Sequence, residues 1–280
     1  MRAQSDSSLS LQGKVALITG SGKKRGIGAG IATTLAQHGA SVVINYVSSS
    51  TASSAAAVAE DLVAAGGKVL VVQADISRPE EAQRLVGETV TAFGKIDILG
   101  ELCLSAYRDL MAYSRFAVNN AGTGFPGPAL NATPESMATT FGVNVFGPLY
   151  LVQAAVAHMP PCSRVINIGS VASKLGVSGS PIYLASKAAT DALTLAMAGE
   201  LGRGHGGITI NTVSPGPVDT DGVPPHVAEK IHKTMVPMTR VEERVGTVED
   251  VADAVLLLCS EKSRWISGQV ISVSGGIVGG

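Results

Sequence analysis

Val15-Ala16-Leu17-Ile18-Thr19-Gly20-Ser21-Gly22-Lys23-Lys24-Arg25-Gly26-Ile27-Gly28 decides how this 280-residue chain reads. Val15–Thr19 is a β-type run that ends in a glycine-rich turn. The turn opens directly into a helical pattern, Gly28–His38, stopped by Gly39. The same alternation then repeats. Ser41–Tyr46, Val69–Gln73, Ile96–Leu99, Arg164–Ile168, Ile208–Val213 and Val270–Val273 read as strands. Ala55–Ala65, Arg78–Phe93, Pro134–Met159, Tyr183–Leu201 and Val248–Cys259 read as helices, with Pro79 in a first turn and Gly94 after an end. Strands that alternate with helices predict right-handed crossovers and a parallel sheet covered on both faces. The expected fold is a single Rossmann-like, doubly wound α/β domain over residues 13–280, preceded by a polar tail, 1–12.

Composition narrows the function classes. The net charge is −1, which argues against a nucleic-acid footprint. No uninterrupted apolar run reaches 18 residues, so no spanning helix is expected. The Ser-rich start lacks the apolar stretch of a secretion signal. Cys103, Cys162 and Cys259 are widely spaced, with no metal-ligand or disulfide pattern, which suits a reducing, cytoplasmic setting.

Glycines at the turn let backbone approach a pyrophosphate, and the helix that follows offers free N–H groups and the positive end of its dipole. Further on, Tyr183 and Lys187 stand four apart in a helical pattern, so both lie on one face. A free tyrosine, with a pKa of about 10, exchanges protons poorly at neutral pH. A neighbouring ammonium is expected to lower that value. Ser170, at the end of a strand, is placed to hold a carbonyl beside Tyr183.

With Thr19-Gly20, Gly26-Ile27-Gly28, Asn119-Asn120-Ala121-Gly122, Ser170, Tyr183-x-x-x-Lys187 and Pro215-Gly216-Pro217-Val218 on the page, the sequence resembles the short-chain dehydrogenase/reductase family from about Gly13 to Gly276. Five residues, Ser21–Arg25, separate Gly20 from Gly26 where the family has three. The resemblance implies a catalytic set of Asn144, Ser170, Tyr183 and Lys187, in which Asn144 holds a water that links Lys187 to solvent. It implies a nicotinamide cofactor held by Gly20, Arg25, Gly26, Ile27, Gly28, Asn45, Ser48, Asp75, Ile76, Asn120, Ala121, Gly122, Tyr183, Lys187, Pro215, Gly216, Val218 and Thr220. The second strand ends Asn45-Tyr46-Val47-Ser48 without the acid that would repel a 2′-phosphate, and Arg25 precedes Gly26, so the expected cofactor is NADP(H). The expected activity is reduction of a ketone to an alcohol, and the sequence is similar to reductases of β-ketoacyl thioesters and of polyhydroxylated aromatic ketones. Two other readings are a non-redox cyclase or isomerase on the same scaffold, and a cofactor-binding protein without turnover. Asp221–Val245, with Pro224, Pro225, Met235 and Met238, is the expected substrate loop. The resemblance also implies a homo-oligomer, tetramer or dimer, pairing through helices that carry Ala154, Ala155, Ala188, Ala189 and Ala192.

One stretch breaks the pattern. Ile96–Leu99 is followed by the eighteen residues 100–117 before Val118-Asn119-Asn120-Ala121-Gly122; without them the chain reads IDILVNNAG. One reading has Phe116-Ala117-Val118 take the strand's place and Ile96–Leu99 move outward. Another has 100–117 as a translated intron. Gly100-Glu101 accommodates a GTGAR donor, Ala117-Val118 a CAG acceptor, and splicing regenerates one Val codon in frame. The third has a real insertion that shapes the site or an interface.

Overall fold

The computed structural model describes residues 7–101, 127–176, 179–220, 229 and 232–278. Seven strands form one sheet in the order β3-β2-β1-β4-β5-β6-β7, every neighbour parallel. They are β1 (Val15–Ile18), β2 (Ser41–Tyr46), β3 (Val69–Gln73), β4 (Ile98–Glu101), β5 (Arg164–Ile168), β6 (Thr209–Pro215) and β7 (Val270–Val273). β1, β5 and β6 are buried along their whole length, as strands covered on both faces must be. The order reverses between β1 and β4, and the crevice beyond their carboxyl ends is where such sheets bind ligands.

Two apolar layers flank the sheet. On one face α1 (Ile27–Gln37) and α2 (Ala52–Ala64) pack with a C-terminal helix, Val248–Cys259, through Ile31, Leu35, Val58, Leu62, Val251 and Val255. The approach is close: a Cβ on Gly30 would run into Val248 Cγ1. On the other face α3 (Pro79–Phe93) packs against the helices that follow β4 through Leu85, Val86, Leu151, Val152 and Ala155.

The expected helix Pro134–Met159 is not uniform. It comprises α4 (Pro134–Phe141), a π-turn at Gly142–Phe146, α5 (Gly147–Ala155) and a closing 3₁₀ turn, Val156–His158. Thr133 and Ser136 form a capping box that starts α4. The interruption has a local cause. Pro148 has no N–H for the carbonyl four residues back, which is that of Asn144. By length and composition the whole stretch Pro134–His158 could reach across a bilayer, yet Leu151, Val152 and Ala155 belong to the core. Burial of Ala155 also corrects its expected role in subunit pairing, whereas Ala188 and Ala192 are exposed.

Of the expected strand Ile96–Leu99, Ile98 and Leu99 lie in β4, and Ile96 and Asp97 lead into it. β4 pairs with β1 through Ala16 and Ile98, Leu17 and Leu99, Ile18 and Gly100, and with β5 as far as Glu101 and Asn167. Ile96–Leu99 has therefore not moved outward, and Ile96, Ile98 and Leu99 are buried in the core. Gly100 and Glu101 supply the last two rungs. The rest of the insertion lies outside the described residues, as do Asn119–Gly122.

Candidate active site

Three elements deliver the reactive side chains. β5 ends at Ile168, and Ser170 follows, buried, at its carboxyl end. The short helix α6 (Ala172–Leu175) leads towards α7 (Pro181–Gly204), whose first turns carry Tyr183 and Lys187. Both are buried, Lys187 at 2% exposure. The four-residue spacing sets them on the face that meets the sheet, and Lys187 Nζ lies 5.9 Å from the centre of the Tyr183 ring.

The hydrogen bonds orient this group. Ser170 Oγ accepts from the Ala172 N–H (3.2 Å) and bonds the Tyr183 phenol. Lys187 Nζ donates to the Ile168 carbonyl, 2.8 Å away, at the strand end that also precedes Ser170. In the π-turn, Asn144 Nδ2 donates to Ser186 Oγ (2.9 Å), and Ser186 Oγ donates to the Tyr183 carbonyl (2.7 Å). Thr190 Oγ1 donates to the Asn144 carbonyl (3.0 Å), the group to which Pro148 offers no helical donor. The structure thus brings Asn144, Ser170, Tyr183 and Lys187 together. Ser186 and Thr190, which tie the π-turn to α7, are absent from the residues expected on sequence grounds. Their signal is a polar residue three and seven positions after Tyr183, on its own helix face.

The acidity of Tyr183 differs from the expectation. Burial pushes the phenol up to about 12, and the Ser170 hydrogen bond pulls it only part of the way back. Desolvation penalises the phenolate, so the resting side chain is a neutral phenol.

The glycine turn is built on β2. Gly20 N–H donates to Asn45 Oδ1 (3.3 Å), Ser21 N–H to the Asn45 carbonyl (2.9 Å), and the Asn45 N–H to Ser21 Oγ (3.0 Å). Asn45 Nδ2 in turn holds the Val72 and Ala74 carbonyls at the end of β3. Asn45 is therefore a buried brace between three strand ends. Gly22 is wedged so closely that a Cβ there would lie 2.8 Å from Tyr46 Cβ. Gly26 is the N-cap of α1 and makes no side-chain cap hydrogen bond, and the first N–H groups of the helix have no partner within it. The two basic residues around the lengthened turn divide. Lys24 pairs with Asp61 of α2 at 2.7 Å, and Arg25 crosses to Asp219 at 3.1 Å.

The remaining expected contacts ring the same crevice. Ser48 caps the turn after β2, with Oγ 3.2 Å from the Ser50 N–H. Asp75 Oδ1 accepts from the Ser77 N–H and hydroxyl, and Ile76 is buried against Gly147. Pro215 ends β6, Gly216 N–H donates to the Val273 carbonyl, and Val218 bridges to Gly246 just before Thr220. Asn120, Ala121 and Gly122 lie outside the described residues, and so does much of the loop Asp221–Val245. A helix N-terminus capped by a glycine, narrow glycine positions and a β2 end without a carboxylate together fit a phosphorylated dinucleotide.

Known proteins are similar to this chain. The short chain dehydrogenase family profile matches residues 14–230. A short-chain dehydrogenase/reductase from a Cladobotryum species is 38% identical over 274 residues, covering 96% of this chain and 97% of that protein. A hydroxynaphthalene reductase-like protein from Metarhizium acridum is 33% identical over 282 residues, covering 96% of each. Among solved structures, a blue fluorescent protein from a metagenomic library in complex with NADPH superposes with a TM-score of 0.81 at 33% identity, covering 96% of this chain and all of its own. An angucycline C-6 ketoreductase with bound NADP superposes at 0.80 with 31% identity, covering 96% of each chain. The chain belongs to the short-chain dehydrogenase/reductase family.

Proposed function

We propose that this protein is an NADP(H)-dependent reductase that converts a small-molecule ketone to an alcohol. The observation that carries the reading is the buried Ser170–Tyr183 hydrogen bond with Lys187 one turn along the same helix. When bound, the cofactor supplies the hydride. Ser170 orients the carbonyl oxygen, and Tyr183, held as a neutral phenol by burial, gives that oxygen its proton. Lys187, buried beside the ring, steadies the phenolate left after transfer and holds the nicotinamide ribose. Asn144 and the π-turn line the path by which Tyr183 is reprotonated. The N-terminus of α1 receives the pyrophosphate, and Arg25 the 2′-phosphate. NADP-bound relatives support this cofactor, as does the absence of an acid at the end of β2. We place the protein in the cytoplasm as a homo-oligomer. Exposed Met137, Phe146 and Leu195 on α4, the π-turn and α7 suit a paired helix face.

The test is a fluorescence titration with NADPH and NADH, followed by a carbonyl panel that includes a β-ketoacyl thioester surrogate and the bicyclic ketone 2-tetralone. Expected are tighter NADPH binding and NADPH oxidation with at least one ketone. Binding without hydride transfer across the whole panel would defeat the reductase reading, and preference for NADH would defeat the cofactor assignment.

A further inference from the structure

Asp191 stands four residues after Lys187 and eight after Tyr183, on the same face of α7, and the chemistry described above does not use it. Its Oδ2 lies 2.8 Å from Ser173 Oγ, and Ser173 Oγ lies 2.9 Å from the Ser170 carbonyl. Its Oδ1 is buried with no hydrogen-bond partner among the described residues. A Cβ on Gly169 would begin 3.2 Å from that oxygen, so the carboxyl leans on the backbone just ahead of Ser170. We infer that Asp191 is a positioning residue that holds Ser170 against Tyr183 through Ser173, an inference that rests on the catalytic reading of Ser170 and Tyr183 given above.

The proton count supports the link. The Ser173 hydroxyl has one hydrogen and two acceptors, the Ser170 carbonyl and Asp191. When protonated, Asp191 supplies the missing donor: it gives its proton to Ser173 Oγ, and Ser173 gives its own to the Ser170 carbonyl. Burial raises the Asp191 carboxyl above its ordinary range and so favours that form, opposed by Ser173, Lys174 and Lys187. The anchored segment is short. α6 spans four residues, and Ser170 Oγ is itself set by the Ala172 N–H at its start. A tie from α7 to Ser173 therefore couples the helix that carries Tyr183 to the turn that carries Ser170.

The test uses the full chain labelled with [13Cζ]tyrosine. Tyr183→Phe identifies the Tyr183 resonance, and Ser170→Ala gives its shift when the Ser170 bond is lost. Asp191→Ala and Ser173→Ala should move the resonance in the direction of Ser170→Ala, while Asp191→Asn, which keeps a donor, should leave it in place. With a ketone from the panel, Asp191→Ala should lower kcat about tenfold and leave KM and the NADPH Kd within about twofold. Asp191→Asn should restore kcat, and Asp191→Ala combined with Ser173→Ala should lose no more than either alone. An unmoved Tyr183 resonance in Asp191→Ala, or additive losses with Ser173→Ala, would overturn the proposal. A wild type that reduces no ketone would defeat the reductase reading alone, and the resonance would still decide the role of Asp191.

Discussion

The two sides of the crevice were assembled under different constraints. On the β5–α7 side every reactive group lies in a regular element or within two residues of one, and protein hydrogen bonds hold Ser170, Tyr183, Lys187 and Asn144 in place. On the β1–β4 side the chain has been lengthened twice, inside the glycine turn and after Leu99. Both lengthenings spare the sheet. Ser21 and Asn45 keep the turn's frame while Lys24 and Arg25 swing out to Asp61 and Asp219. Gly100 and Glu101 complete β4 where Val118 and Asn119 would stand without the insertion. A Cβ on Gly100 would meet Ile18 at 3.7 Å, an ordinary contact, so the slot accepts a side chain such as valine. Regular elements thus resist insertion by refilling their own rungs, and the change is passed to the loops beyond the strand ends.

The largest predicted effect lies on the intact side. Tyr183→Phe removes the proton donor and leaves the packing of the ring. The kcat for ketone reduction should fall by about 10²–10⁴-fold, with NADPH affinity near the wild-type value in the same titration. A variant that keeps wild-type turnover would remove Tyr183 from the chemistry and erase the contrast between the two sides.

The second prediction addresses the lengthened side. Deletion of residues 100–117 sets Val118-Asn119 on the two rungs now held by Gly100-Glu101 and brings Asn120–Gly122 directly to the end of β4. NADPH should then bind at least about tenfold more tightly, equivalent to roughly 1.4 kcal/mol, and the melting temperature should rise. Weaker binding by the shortened chain would show that 100–117 is a working part of the site. Genomic and transcript sequences bear on the same point: a dominant mature transcript that still encodes 100–117 would end the intron reading.

The same contrast explains what is legible in the sequence. Four-residue spacing on a helix is a geometric statement, so the sequence alone sets Tyr183 and Lys187 on one face. The parallel sheet follows from strand–helix alternation, and Asn144 and Ser170 from motif position. The π-turn is hidden because helical periodicity continues through it; only Gly142 and Gly147-Pro148 hint at the break. The acidity of Tyr183 is misread from sequence, which shows the neighbouring lysine but not the burial that pushes the phenol up. Asn45 reads as a cofactor-holding residue, and nothing in the sequence says that its side chain braces Gly20, Val72 and Ala74.

The smallest predicted effect concerns the bridge across the crevice. Arg25 and Asp219 meet at 3.1 Å with both side chains more than 60% exposed. A pair this wet contributes roughly 0–1 kcal/mol, so Asp219→Asn should leave the melting temperature nearly unchanged. Its consequence is competition. A guanidinium engaged by Asp219 must exchange that carboxylate for the 2′-phosphate, and removing the carboxylate favours the phosphate. Asp219→Asn should therefore tighten NADPH binding by about twofold to threefold and leave NADH binding unaltered, and the gain should shrink as salt screens the charges. Arg25→Ala in the same titration should abolish the difference between wild type and Asp219→Asn. If Asp219→Asn tightens NADH as much as NADPH, Arg25 does not distinguish the 2′-phosphate, and the lengthened turn has moved cofactor selection to another residue.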